Sequence, residues 1–208
     1  ERVTCPVVLI DRLTQCGWCD AVGFDNYLGG RLAAQYLLEG GHKRIGIVTG
    51  DVAESSAADR RRGFADALEQ AGERLDPSLC VAGDYRFASG YRAADRIMTV
   101  VATAVFCCND VMALGFRQRM AERGLHVTED MQVIGYDNIL KRFGLGWRMT
   151  TVEQSVADLA AACWGMLRER IDVAIRTKSG VNSRAARPWL SNPQVEVLTP
   201  KLVQAACA

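Results

Sequence analysis

Residues 103 to 124, TAVFCCNDVMALGFRQRMAERG, contain a strand, a turn and a helix in one continuous reading. Thr103 to Cys107 is an apolar run of the length of a strand buried on both faces and too short for a helix. Asn109 and Asp110 mark the turn and the helix start, and Asp110 to Arg123 keeps a helical pattern until Gly124 stops it. Working outward, the same unit recurs. A strand over Gln132 to Tyr136 ends in Asp137 and Asn138. Strands over Arg44 to Thr49 and Leu79 to Ala82 are separated by a helix over Ala57 to Ala71 that stops at Gly72, and a helix over Phe87 to Val100 leads into Thr103. Further out lie strands over Pro6 to Ile10 and Ala21 to Phe24, a helix over Leu28 to Glu39 closed by Gly40 and Gly41, and a helix over Gln154 to Ile175. A late strand over Val195 to Leu198 is stopped by Pro200, and Arg176 to Asn192 reads as an irregular exposed connection. Short apolar runs alternating with helices define the α/β class, with a parallel sheet covered by helices.

The composition agrees. The chain has 208 residues, 49% hydrophobic and 24% charged, with 25 basic against 24 acidic side chains and a net charge of +1. It is long enough for one large domain or two small ones. The balanced charge lacks the basic field that phosphate contacts need, so direct DNA binding by this chain is not expected. No apolar run approaches the ~18 residues of a membrane span. The chain starts at Glu1 with neither Met nor a signal peptide, which we read as a product lacking an N-terminal piece. Eight dispersed cysteines fit a reduced, cytoplasmic protein. Cys16 and Cys19 have CxxC spacing, but with no second such pair and only His42 and His126 as histidines, a loop pair without metal or redox duty is expected. No metal site and no cofactor are expected.

Ligands of open α/β sheets bind beyond the carboxyl ends of the strands. Polar residues gather there: Asp11, Asp25 and Asn26, Asp51, Asp84 and Tyr85, Asn109 and Asp110, Asp137 and Asn138. Each alone suits a turn or helix cap; together they imply a polar cleft. In the run Arg60 to Arg62, only Arg60 shares the apolar face of Phe64, Ala67, Leu68 and Ala71, so Arg60 is expected to reach a ligand while its neighbours face solvent. Ser56 is expected as the N-cap of that helix, with Asp59 completing a capping box and Arg60 in the first turn. Tyr85 offers a flat wall for a ring.

Several of these stretches resemble the effector-binding core of the lactose and purine repressor family of bacterial transcription regulators. They are PVVLIDR at 6–12, VGFDNYLGGRLAAQYLLEGGHKRIGIVTG at 22–50, DRRRGFADALEQAG at 59–72, GDYRFASGY at 83–91, TAVFCCNDVMALG at 103–115, DMQVIGYDN at 130–138 and TTVEQ at 150–154, with a weaker match over VEVLTPKLV at 195–203. The resemblance implies a type I periplasmic-binding-protein-like fold of two Rossmann-like lobes with a ligand between them. It places a partial N-terminal lobe at 1–41 with 148–177 and the C-terminal lobe at 42–146 with 193–203.

Carried over by position, it implies ligand contacts from Asp11, Ser56, Arg60, Tyr85, Asn109 and Asp137. The function it implies is an effector-sensing domain that binds a small metabolite, a sugar or sugar derivative, and controls a helix-turn-helix headpiece outside this chain. Operator DNA is then a partner through that headpiece alone, a homodimer is expected, and no membrane or catalytic role is. A purine-sensing regulator and a solute receptor of the same fold are the alternatives. Against an enzyme stands the lack of any Ser/His/Asp or Cys/His arrangement.

Overall fold

The structure is a computed structural model that describes residues 5–13, 18–127, 129–143, 149–178 and 192–205. Its elements are β1 (Val8–Ile10), β2 (Asp20–Phe24), α1 (Asn26–Glu39), β3 (Ile45–Thr49), α2 (Ser55–Gln70), β4 (Cys80–Ala82), α3 (Phe87–Met98), β5 (Ala104–Cys107), α4 (Asp110–Glu122), β6 (Gln132–Asp137), β7 (Thr151–Glu153), α5 (Val156–Lys178), β8 (Val195–Leu198) and β9 (Lys201–Val203). Residues 179–191 of the expected irregular connection lie outside the described residues, as does Cys16.

The chain forms two compact units. One comprises 1–25 with 155–199, the other 26–154 with 200–208. This division runs differently from the expected boundaries at α1, at residues 148–154 and at β8. Helix α1 belongs to the larger unit because it packs along α2, where Gly30 and Gly63 let the two backbones touch; a Cβ on either would collide with the carbonyl of Arg60 or of Tyr27. Strand β8 belongs to the smaller unit because Val195 to Leu198 pairs in parallel with Ala21 to Phe24 of β2. Pro200 is the physical reason for the break: it cannot donate to a ladder, so the chain leaves β8 there.

The smaller unit is a parallel sheet of order β1-β2-β8 with α5 packed on it. β2 is buried along its whole length. Asp20 at its start receives two hydrogen bonds from Arg170 of α5, both at 2.7 Å, and one from the Gln194 amide. Those donors, with the Arg170 charge, outweigh the burial that would raise the Asp20 pKa and hold it below its ordinary value.

The larger unit is a sheet of order β4-β3-β5-β6-β7-β9, parallel except that β9 runs antiparallel to β7. Right-handed crossovers put α2 on one face and α3 and α4 on the other. Phe64 of α2 stacks on Phe106 of β5, their centroids 5.3 Å apart, within a core that also holds Leu37, Ile47, Leu68, Ile97, Phe116 and Val133. The order reverses between β3 and β5, the switch point beyond whose carboxyl ends the ligand crevice of open α/β sheets lies.

Candidate functional site

Four of the expected residues meet at this crevice. Arg60 is 5% exposed although it carries a charge. Its Nε donates to Asn26 Oδ1 at 2.8 Å, and its Nη1 donates to the Cys108 carbonyl at 2.6 Å. The guanidinium lies 3.8 Å from the centroid of the Tyr136 ring, and Nη1 lies 3.8 Å from Asp137 Oδ1. Burial disfavours the cation, but the Tyr136 and Asp137 side chains overcome it and Arg60 holds its proton more tightly than usual. A buried guanidinium needs such partners, since an unpaired one is costly.

Tyr85 and Asn109 adjoin Arg60 and are bonded to each other. Tyr85 has φ +63, a left-handed backbone that a non-glycine residue adopts only under constraint. Its ring lies over Gly50, where any side chain would collide with it. Tyr85 Oη is buried with no hydrogen-bond partner among the described residues, beside Ser56 and Arg60. Burial raises the phenol above its ordinary pKa. Asn109 caps α4 by accepting from the Met112 amide at 2.8 Å, and its Nδ2 donates to the Tyr85 carbonyl at 3.0 Å. One side chain thus fixes both a helix start and the aromatic wall. Cys108, between Asn109 and the Arg60 contact, is buried, and desolvation pushes its thiol up to about 12.

Two expectations about α2 are corrected. The helix begins at Ser55 with Glu54 as its N-cap, and no side chain caps it. Ser56 is therefore its second residue, and Arg60 lies in the second turn. The cause is upstream: Asp51 closes the preceding turn by accepting the Ala53 amide on its side chain and the Glu54 amide on its carbonyl, both at 2.9 Å, so the chain enters the helix early. Asp59 does not complete a capping box and instead pairs with Arg62 at 2.8 Å.

Asp11 belongs to the smaller unit, with φ +57 and its amide donating to the Val22 carbonyl at 2.8 Å. The expected ligand contacts did not include Asn26, which the sequence placed only among the strand-end polar residues, nor Tyr136 and Gln154. Asn26 Oδ1 also faces Tyr136 Oη at 3.4 Å and Gln154 Nε2 at 3.3 Å, so it is the hub on which the arginine is built. The position of Asn26 after a strand was a visible signal; Tyr136 reads in sequence as one more apolar strand residue.

The expectation of a fully reduced chain is corrected at Cys19, which is disulfide-bonded. Cys5, Cys80, Cys107, Cys108 and Cys163 are free. Among the described residues no cluster of His, Cys, Asp or Glu is arranged to hold a metal. No helix among them is long and apolar enough to cross a membrane.

A parallel sheet with a switch-point crevice, in a chain that passes three times between two α/β units, defines a class of small-ligand binding proteins. A family profile described as a periplasmic binding protein-like domain matches residues 34–189. The chain belongs to that family, in the branch that forms the ligand-binding core of LacI-type regulators. It is 38% identical over 169 residues to the HTH-type transcriptional repressor PurR of Pasteurella multocida, covering 80% of this chain and 51% of the relative. Among solved structures, a LacI family transcriptional regulator from Enterococcus faecium with bound ribose superposes with a TM-score of 0.82 at 26% identity, over 96% of this chain and 69% of that one. The transcriptional regulator CelR in complex with cellobiose superposes with a TM-score of 0.79 at 27% identity, over 95% and 57%. The chain spans about half the length of the curated relatives it matches.

Proposed function

We propose that this chain is the effector-sensing part of a bacterial LacI-type transcriptional regulator, binding a small polyhydroxylated metabolite through Arg60, Tyr85, Asn109 and Asp137, with Ser56 as a further contact. The observation that carries this reading is the buried Arg60, clamped by Asn26, the Cys108 carbonyl and the Tyr136 ring with Asp137 beside it. Nε and Nη1 are engaged, so Nη2 is the edge from which a pair of ligand hydroxyls would be held. Asp137 would accept from hydroxyls, and Tyr85 Oη, lacking an internal partner, would gain one from the ligand. The relatives solved with ribose and with cellobiose support a sugar or sugar derivative. A planar base is the second reading, favoured by the Tyr85 ring held flat against Gly50.

The role is binding rather than catalysis. Ligand would shift the population of conformations by contacting them unequally, and an attached headpiece would read the shift on operator DNA. A thermal-shift screen with ribose, cellobiose and purine bases tests this. A hit that disappears in Arg60→Ala supports the site; a hit bound equally by wild type and variant overturns it. We also propose a homodimer in the cytoplasm. β1 and β8 are the edge strands of their sheet, and Ile10, Val195 and Val197 are exposed on them, an apolar rim that association would cover.

A further inference from the structure

Asp110 is a buried carboxylate that the proposed ligand contacts leave unused. It is 1% exposed, and among the described residues it pairs with no cation. Its Oδ1 accepts from the Thr151 hydroxyl at 2.7 Å, and its Oδ2 accepts from the Ile139 amide at 2.8 Å. Gly135, inside the buried strand β6, makes room for it, because a Cβ there would collide with Oδ1. A glycine within a strand weakens it unless something must approach the backbone closely; here that group is the carboxylate.

The amide that Asp110 holds follows two left-handed residues, Asp137 at φ +99 and Asn138 at φ +54. Such residues persist only where their surroundings over-determine them. Asn138 is tied to β7 as well, its amide to Thr151 Oγ1 at 3.4 Å and its Nδ2 to Glu153 Oε1 at 2.9 Å. The geometry points to Asp110 as the positioning residue of the candidate site: through Ile139 and Thr151 it holds the left-handed corner that aims the Asp137 carboxylate at Arg60. This rests on the reading of Arg60 and Asp137 as ligand contacts.

The Thr151 hydroxyl and the Ile139 amide both donate to Asp110, so the ionised form makes the corner. Burial pushes its carboxyl up to about 6, against the Thr151 and backbone bonds that lower it. The titratable groups around it are Cys107 on β5, whose thiol burial pushes well above its ordinary value, Tyr136 and Asp137 on β6, and Glu153 on β7 through Asn138. Protonating Asp110 removes acceptor capacity from the corner and slackens the hold on Asp137.

The test uses the 15N-labelled chain without ligand, titrated from acid to neutral pH. In wild type the amides of Asn138 and Ile139 and the Arg60 Nε–H resonance should shift together with a midpoint of about 6. In Asp110→Asn that common titration should vanish, and in Thr151→Val, which removes one donor, its midpoint should rise by about half a unit to one unit. The proposal is overturned if the titration survives in Asp110→Asn, or if the amides move while Arg60 stays still, which would make Asp110 a purely structural residue. Should Asp110→Asn not fold, an unmoved midpoint in Thr151→Val overturns it equally. With no effector in the sample, this outcome is independent of the Arg60→Ala binding test, so either idea can fail alone.

Discussion

Arg60 shows what a buried charged residue must be given by its surroundings. Asn26, the Cys108 carbonyl and the Tyr136 ring stabilise its charge, and in the proposed reading Nη2 is the edge left for the ligand. Arg60→Ala is expected to weaken effector binding by about 1.5–3 kcal/mol, the scale of a lost charge-assisted bond, as read by calorimetry with the metabolite found in the screen. Gly29 makes a separate prediction, because a Cβ there would collide with the Tyr136 hydroxyl. Gly29→Ala should therefore displace the ring under Arg60 and lower affinity without touching any proposed contact, while circular dichroism stays that of the wild type. Asp110 carries a pH dependence whose sign can be worked out. Its folded pKa, about 6, lies above the ordinary 3.8, so the folded state binds the proton more tightly. Stability is then favoured below pH 3.8 and falls as pH rises through 6, by about 3 kcal/mol in all if unopposed. Comparing urea unfolding of wild type and Asp110→Asn at acid and neutral pH should show this slope in the wild type and its loss in the variant.

At the scale of elements, close helix pairing is a recurring device in the larger unit. Gly30 and Gly63 bring α1 against α2, and Gly90 and Gly115 bring α3 against α4, where a Cβ would strike the carbonyl of Met112 or of Phe87. Backbone cannot yield as a side-chain tip can, so Gly63→Ala and Gly115→Ala should each cost about 1–3 kcal/mol or more in denaturant unfolding. The α1–α2 pair also positions the site, since Asn26 begins one helix and Arg60 lies in the other. In the smaller unit, the Asp20 carboxylate joins β2, α5 and the chain entering β8. Removing it strands Arg170, half-buried, and Asp20→Ala should lose roughly 3 kcal/mol by the same measurement.

For the whole molecule, the division into two units with three chain crossings matters more than any one element. Light scattering of the chain at high micromolar concentration is expected to give a dimer; a monomer would remove the argument from the exposed edge. With a net charge of +1, the chain by itself should give no sequence-selective shift of DNA in a gel. The order of strands and helices from Pro6 to Leu198 was legible from periodicity, because a strand buried on both faces leaves an unbroken apolar run and glycine stops a helix wherever it falls. Strands β7 and β9 were not read as such, because Thr151–Glu153 and Lys201–Val203 mix polar and charged residues into three-residue strands and leave no apolar run, unlike the equally short β1 and β4. Strand-end chemistry picked out Tyr85, Asn109 and Asp137 because polar residues after apolar runs stand out, and helical periodicity picked out Arg60 on the apolar face of α2. Sequence alone thus determined the α/β class and most of the polar groups of the crevice. Tertiary structure decided which unit owns α1 and β8, where α2 starts, and that Asn26 and Tyr136 build the seat of the arginine. Those outcomes depend on pairings between residues 34 to 174 positions apart, such as Asn26 with Arg60 and Ala21 with Val195, and no local pattern of hydrophobicity encodes which distant partner a buried polar group will find.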